Sequence, residues 1–134
     1  MRPVRLILME FIEGVTMFEL DPDKLSEQQS TNIMVKAIDG YAALQHHGVN
    51  HGDFSPRNVL CSGNDLGSVT LRVVLFDFNN SIVLRLANLR RTPPKLPVSP
   101  IVGYWRGGPP EFSPGWIPYP PGEWLWKQWG DSPS

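Results

Sequence analysis

Apolar positions fall into three patterns along the chain. Residues 4–11 form a nearly unbroken apolar run, Val4, Leu6, Ile7, Leu8, Met9 and Phe11. Its length predicts a buried strand rather than a helix. Asp21-Pro22 reads as an N-cap followed by proline at the first helical position, opening a short helix towards Gln29. From residue 31 to 47 the apolar side chains Ile33, Ala37, Ile38, Tyr41 and Leu44 recur at mostly helical spacing. That pattern predicts a long amphipathic helix stopped at Gly48. Val59-Leu60 and residues 71–76 then read as two short strands, the second apolar on both faces and therefore buried. Between them, Gly63-Asn64-Asp65 and Gly67 supply turn chemistry for a hairpin.

Beyond Thr92 the composition changes. Of 14 prolines, 11 lie from Pro93 onward, and all five tryptophans lie from Trp105 onward. Proline fixes φ and removes a donor, so regular structure should be sparse there. The expected organisation is a core over residues 1–92 and a Pro/Trp-rich tail over 93–134. The tail carries the largest apolar reserve, Trp105, Phe112, Trp116, Trp124, Trp126 and Trp129. It is expected to cover Ile33, Ile38, Tyr41 and Leu44 as an irregular, partly helical layer. At its end, helical spacing sets Leu125 and Trp126 beside Trp129.

Charge is nearly balanced, with 12 basic and 13 acidic side chains. No basic excess points to nucleic acid or an anionic membrane surface. The balance is uneven in sequence: residues 1–56 hold 4 basic and 8 acidic side chains, and residues 57–95 hold 6 and 2. No apolar run reaches the length of a membrane span. Cys61 is a lone cysteine, which excludes an intramolecular disulfide and suits a reducing, cytoplasmic compartment. His46, His47, His51 and Cys61 lack zinc-ligand spacing.

The candidate chemistry sits in two short motifs. His51-Gly52-Asp53-Phe54-Ser55-Pro56-Arg57-Asn58 follows the long helix, and Asp77-Phe78-Asn79 follows the second hairpin strand. Together they bring two acids and an amide to loops at one end of a hairpin. Their oxygens are the hard donors magnesium prefers beside phosphate.

These motifs resemble the protein-kinase-like superfamily, whose catalytic loop reads H-x-D-x-x-x-x-N and whose metal motif begins D-F-G or D-x-x. The resemblance spans residues 4–82 and implies a partial α+β kinase-like fold: a hinge strand, a long helix and a catalytic-loop hairpin. It implies ATP and Mg2+ as cofactors. Asp53 would orient an acceptor hydroxyl, and Asn58 and Asp77 would hold the metal. Met9, Glu10 and Phe11 of the hinge would meet adenine through backbone groups. His51 would brace the loop. His-Gly-Asp, with Ser55 where protein kinases usually carry lysine, is more similar to the aminoglycoside and choline kinase branch and to divergent fungal kinase-like proteins.

The Gly-rich phosphate loop and the lysine of a V-A-I-K strand would precede the hinge, and Asn79 replaces the glycine of the metal motif. The chain therefore resembles a large-lobe fragment, weakly active or inactive alone. The alternative is a pseudokinase-like binding module. The partners expected are a nucleotide and a protein substrate or partner, with self-association through residues 6–11. Arg85, Arg90, Arg91 and Lys95 occupy the activation-segment position, and Pro109-Pro110-Glu111 resembles the motif that closes it.

Overall fold

The computed structural model describes residues 1–4, 6–86, 99, 112, 115–118 and 120–131. Its central element is α1 (Glu27–His46). The helix starts four residues before the expected point because Ser26 and Gln29 form a capping box. Ser26 Oγ accepts from Gln29 N at 3.2 Å, and Gln29 Oε1 accepts from Ser26 N at 3.0 Å. Asp21-Pro22 opens only a single 3-10 turn, Pro22–Lys24, before the chain re-caps at Ser26. Ile33, Met34, Ala37 and Ile38 form the buried stripe of α1, and Tyr41 and Leu44 lie half-buried beyond it. Gly48, at φ 80°, carries the left-handed backbone that ends the helical run.

Two antiparallel sheets follow. The first has order β1-β3-β4, with β1 (Val15–Thr16), β3 (Val59–Ser62) and β4 (Arg72–Leu75). The second pairs β2 (Val49–Asn50) with β5 (Ile82–Val83). β3 and β4 form the expected hairpin, in the register Val59↔Leu75 to Ser62↔Arg72. β4 is half-buried rather than buried on both faces, because it is the sheet edge and α1 packs against it.

The N-terminal expectation fails. Residues 6–14 form no strand. Val4, Leu6, Ile7, Leu8, Met9 and Phe11 are exposed, each at 79% or more. An apolar run becomes a buried strand only where another surface covers it. Among the described residues none lies over this segment. The β1 position on the flank of β3 is taken by Val15–Thr16. What ties the run to the sheet is a bidentate ion pair, Arg72 to Glu10, at 2.7 and 3.0 Å.

The core unites both ends of the chain. Met17, Ile33, Met34, Ala37, Ile38 and Val59 pack with Phe112, Trp116, Ile117, Leu125 and Trp129. The last two belong to α2 (Gly122–Trp129), whose Trp126 points away and is exposed. Trp129 Nε1 donates to Asp39 Oδ1 at 2.9 Å, which pins α2 to α1. Trp105, Arg90, Arg91, Lys95 and Pro109-Pro110-Glu111 lie outside the described residues. Among the described residues, no helix is long and apolar enough to cross a membrane.

Candidate functional site

Hairpin register assembles the site. Beyond the Val59↔Leu75 pair the ladder runs on, with Phe76 N donating to Asn58 O at 3.0 Å. Asn58 thus ends the loop of residues 51–58 directly opposite Phe76, and Asp77 follows one residue later. The geometry brings Asp53, Asn58 and Asp77 to the same end of the hairpin.

His51 clasps the two motifs together. It is fully buried, and its Nε2 lies 2.8 Å from Phe76 O. A carbonyl can only accept, so Nε2 carries the proton and Nδ1 is left as an acceptor, 3.4 Å from Asp53 N. Ser81 Oγ donates to His51 O at 2.9 Å, and the Phe78 ring lies 4.8 Å from the imidazole. Gly52, at φ 76°, faces the Asn80 carbonyl so closely that a Cβ would overlap it. A glycine within the motif, at a loop position, was the sequence signal for that approach.

Both oxygens of the Asp53 carboxylate are engaged. Oδ2 accepts from Asn58 Nδ2 at 2.9 Å, and Oδ1 accepts from Arg57 Nη2 at 2.9 Å. Asn58 Nδ2 also donates to Asp53 O at 3.0 Å, so this buried amide fixes side chain and backbone together. The Arg57 partnership was not anticipated, because Asp53 lies outside any helix and the four-residue spacing by itself does not aim the two side chains at each other. Ser55 is buried, and its Oγ has no hydrogen-bond partner among the described residues. Phe54 holds the loop from beneath. Its ring stacks on Tyr41 at 4.4 Å and meets Phe112 at 4.8 Å.

Asp77 sits in left-handed geometry, φ 59° and ψ 73°, which is costly for a non-glycine residue. Its Oδ1 receives only a long bond, 3.4 Å, from Asn79 N, and the side chain is exposed. Asn58 spends its amide nitrogen on Asp53, which leaves its oxygen as the donor atom for a cation. That oxygen and the Asp77 carboxylate are the hard donor set magnesium takes when phosphate and water complete its shell. The chemistry of these residues therefore fits the ion.

Met9, Glu10 and Phe11 lie elsewhere. Glu10 pairs with Arg72, the first residue of β4, whereas Asp77 follows the last. The hairpin's length separates them, so the structure does not bring residues 9–11 beside Asp53. The Arg72 hydrogen bond, and then its charge, hold the Glu10 carboxyl below its ordinary range.

A protein of Dictyostelium discoideum described as a probable myosin light chain kinase is 29% identical over 72 residues, 52% of this chain. The chain spans only 18% of that protein's length. The family model for the RIO domain matches residues 4–83, a stretch that holds both motifs and the elements that position them. The RIO domain is an atypical protein-kinase-like fold, and over more than half of its length this chain belongs to the RIO domain family.

Proposed function

We propose that the chain is a kinase-like phosphotransferase domain that transfers the γ-phosphoryl group of ATP to a hydroxyl, with a protein as acceptor. The observation that carries this reading is the Asp53–Asn58–Phe76 junction, which joins a candidate base to a candidate metal-binding pair. Asp53 orients the acceptor hydroxyl and takes up its proton. Asn58 and Asp77 hold Mg2+, which neutralises charge on the phosphate oxygens when bound. His51 keeps the two motifs in register. The backbone of residues 9–11, which makes no sheet hydrogen bond among the described residues, would meet the adenine edge at the end of the hairpin away from Asp77. The protein acceptor rests on the partial likeness to a probable myosin light chain kinase. The glycine at position 52 and the buried Ser55 favour a place beside the aminoglycoside kinase-like and fungal kinase-like branches. The lone buried Cys61 suits a cytoplasmic setting.

The 134 residues alone should turn over slowly, because the Asp53 carboxylate is already paired with Arg57. Paramagnetic Mn2+ in place of Mg2+ tests the site. Weak binding of Mn-ADP, lost in Asp77→Asn, is expected. Equal binding by the two proteins would sink the metal assignment. Turnover comparable to ordinary kinases, abolished in Asp53→Ala, would overturn the expectation of a slow isolated chain.

A second reading, a binding module of pseudokinase type, draws on the exposed apolar side chains of Val4, Leu6, Ile7, Leu8, Met9 and Phe11. An apolar surface of that kind marks an interaction site, with a partner or with a second copy of the chain. Light scattering separates the two: a monodisperse monomer at high concentration argues against self-association.

A further inference from the structure

The peptide unit that joins His51 to Gly52 is held by side chains at both of its polar atoms. Its carbonyl, His51 O, accepts from Ser81 Oγ at 2.9 Å, and its amide, Gly52 N, donates to Asn50 Oδ1 at 3.2 Å. Strand register creates this arrangement. β2 pairs with β5 as Val49↔Val83 and Asn50↔Ile82, so one further step sets His51 across from Ser81. Asn50, the last residue of β2, reaches forward two residues, the local turn that asparagine side chains make with the backbone.

This peptide needs support from outside because of the residue it leads into. Gly52 is required by the close approach of Asn80 O. Glycine, however, takes positive and negative φ about equally well, so its own sterics leave the peptide plane undetermined. His51 is fixed on its other side by the ring bond to Phe76 O, and the remaining freedom falls on Gly52. A tilted plane would carry Asp53, the next residue, away from Asn58, whose Nδ2 meets Asp53 O and Oδ2 at 3.0 and 2.9 Å. We propose that Asn50 is a positioning residue for Asp53: together with Ser81 it fixes the plane of the His51–Gly52 peptide. Asn50 acts through the Gly52 amide and has no contact of its own with Asp53 to make. The inference deepens the phosphotransferase reading and rests on it for the role of Asp53.

The test uses the whole chain, without nucleotide or metal. Relaxation-dispersion NMR follows the backbone amides of Gly52 and Asp53 and the side-chain amide of Asn58. Asn50→Ala should raise the population of a second Gly52 conformation roughly 5-fold, the loss of one ordinary hydrogen bond. The same exchange should reach Asp53 and the Asn58 side-chain amide. Asn50→Asp keeps an acceptor oxygen in place and should return all three signals to wild-type behaviour. Ser81→Ala, which frees the other atom of the peptide, should repeat the pattern of Asn50→Ala. No rise in Asn50→Ala or in Ser81→Ala, an equal rise in Asn50→Asp, or exchange confined to Gly52 with the Asn58 amide unchanged would each overturn the proposal. Because these arms contain no metal or nucleotide, their failure is distinct from loss of the Asn58–Asp77 assignment, which the Mn-ADP experiment reads.

Discussion

Gly52 and Asn80 touch backbone to backbone, and this contact sets how closely the loop of residues 51–58 approaches the 77–79 motif. No side chain fits between them, since even a Cβ at Gly52 would overlap the Asn80 carbonyl oxygen. The positive φ of Gly52 adds a second restriction. Gly52→Ala should therefore lower stability by about 2 kcal/mol, from left-handed strain and the displaced turn. Urea unfolding measures it, and a loss near zero would mean that the contact is not maintained in solution.

The docked C-terminal segment should stabilise the whole core. Phe112 is fully buried against Phe54, and Phe112→Ala should cost roughly 3–5 kcal/mol. Trp129→Phe keeps most of the ring but removes the donor to Asp39, and should cost about 1 kcal/mol. Tryptophan emission reports the same docking. Free-indole emission in the intact chain would contradict it, as would an unchanged melting temperature after truncation before Ile101.

Cys61 should be chemically silent in the folded protein. Burial raises its thiol to about 11, so almost no thiolate is present near neutral pH. Iodoacetamide at pH 8 should label it slowly in buffer and rapidly in denaturant. Equal rates in the two conditions would show that β3 opens freely.

Acid should release the N-terminal segment. The folded Glu10 carboxyl lies below its ordinary value of 4.5, through the Arg72 hydrogen bond first and its charge second. A carboxyl depressed on folding contributes above its unfolded value, and that contribution is lost as pH falls through the folded one. The tether should therefore hold at neutral pH and open below about 4.5. Carbon NMR of the Glu10 side chain tests this, because Arg72→Ala should bring its midpoint up to the ordinary range. An identical midpoint in the two proteins would remove the tether from solution.

The parts readable in advance were those governed by local rules. Ile33, Ala37 and Ile38 lie on one helical face whatever else the protein does, and the spacing from Asp53 to Asn58 needs only a tight turn and the start of a strand. The hairpin between them and Asp77 follows from two apolar runs around glycine-rich turn residues. Features that depend on distant partners stayed hidden. Residues 4–11 have the composition of a buried strand, but burial is a property of the neighbour, and Glu10 alone reaches the sheet. Met34 joins the core because α1 is covered along more of its width than one stripe predicts. The Arg57–Asp53 pair depends on how a three-residue turn aims two side chains, which spacing alone leaves open.

The ring stack Tyr41–Phe54–Phe112 also sets an order of events during synthesis. Tyr41 leaves the ribosome before Phe54, so one face of that ring can be covered as soon as the loop emerges. Its tilted contact with Phe112 comes later, and the latch to Asp39 waits for Trp129. A nascent chain stalled before Phe112 would present Phe54 and the apolar side of α1 together, the kind of sticky surface that chaperones hold. The loop of residues 51–58 is thus translated well before the residues that complete its packing.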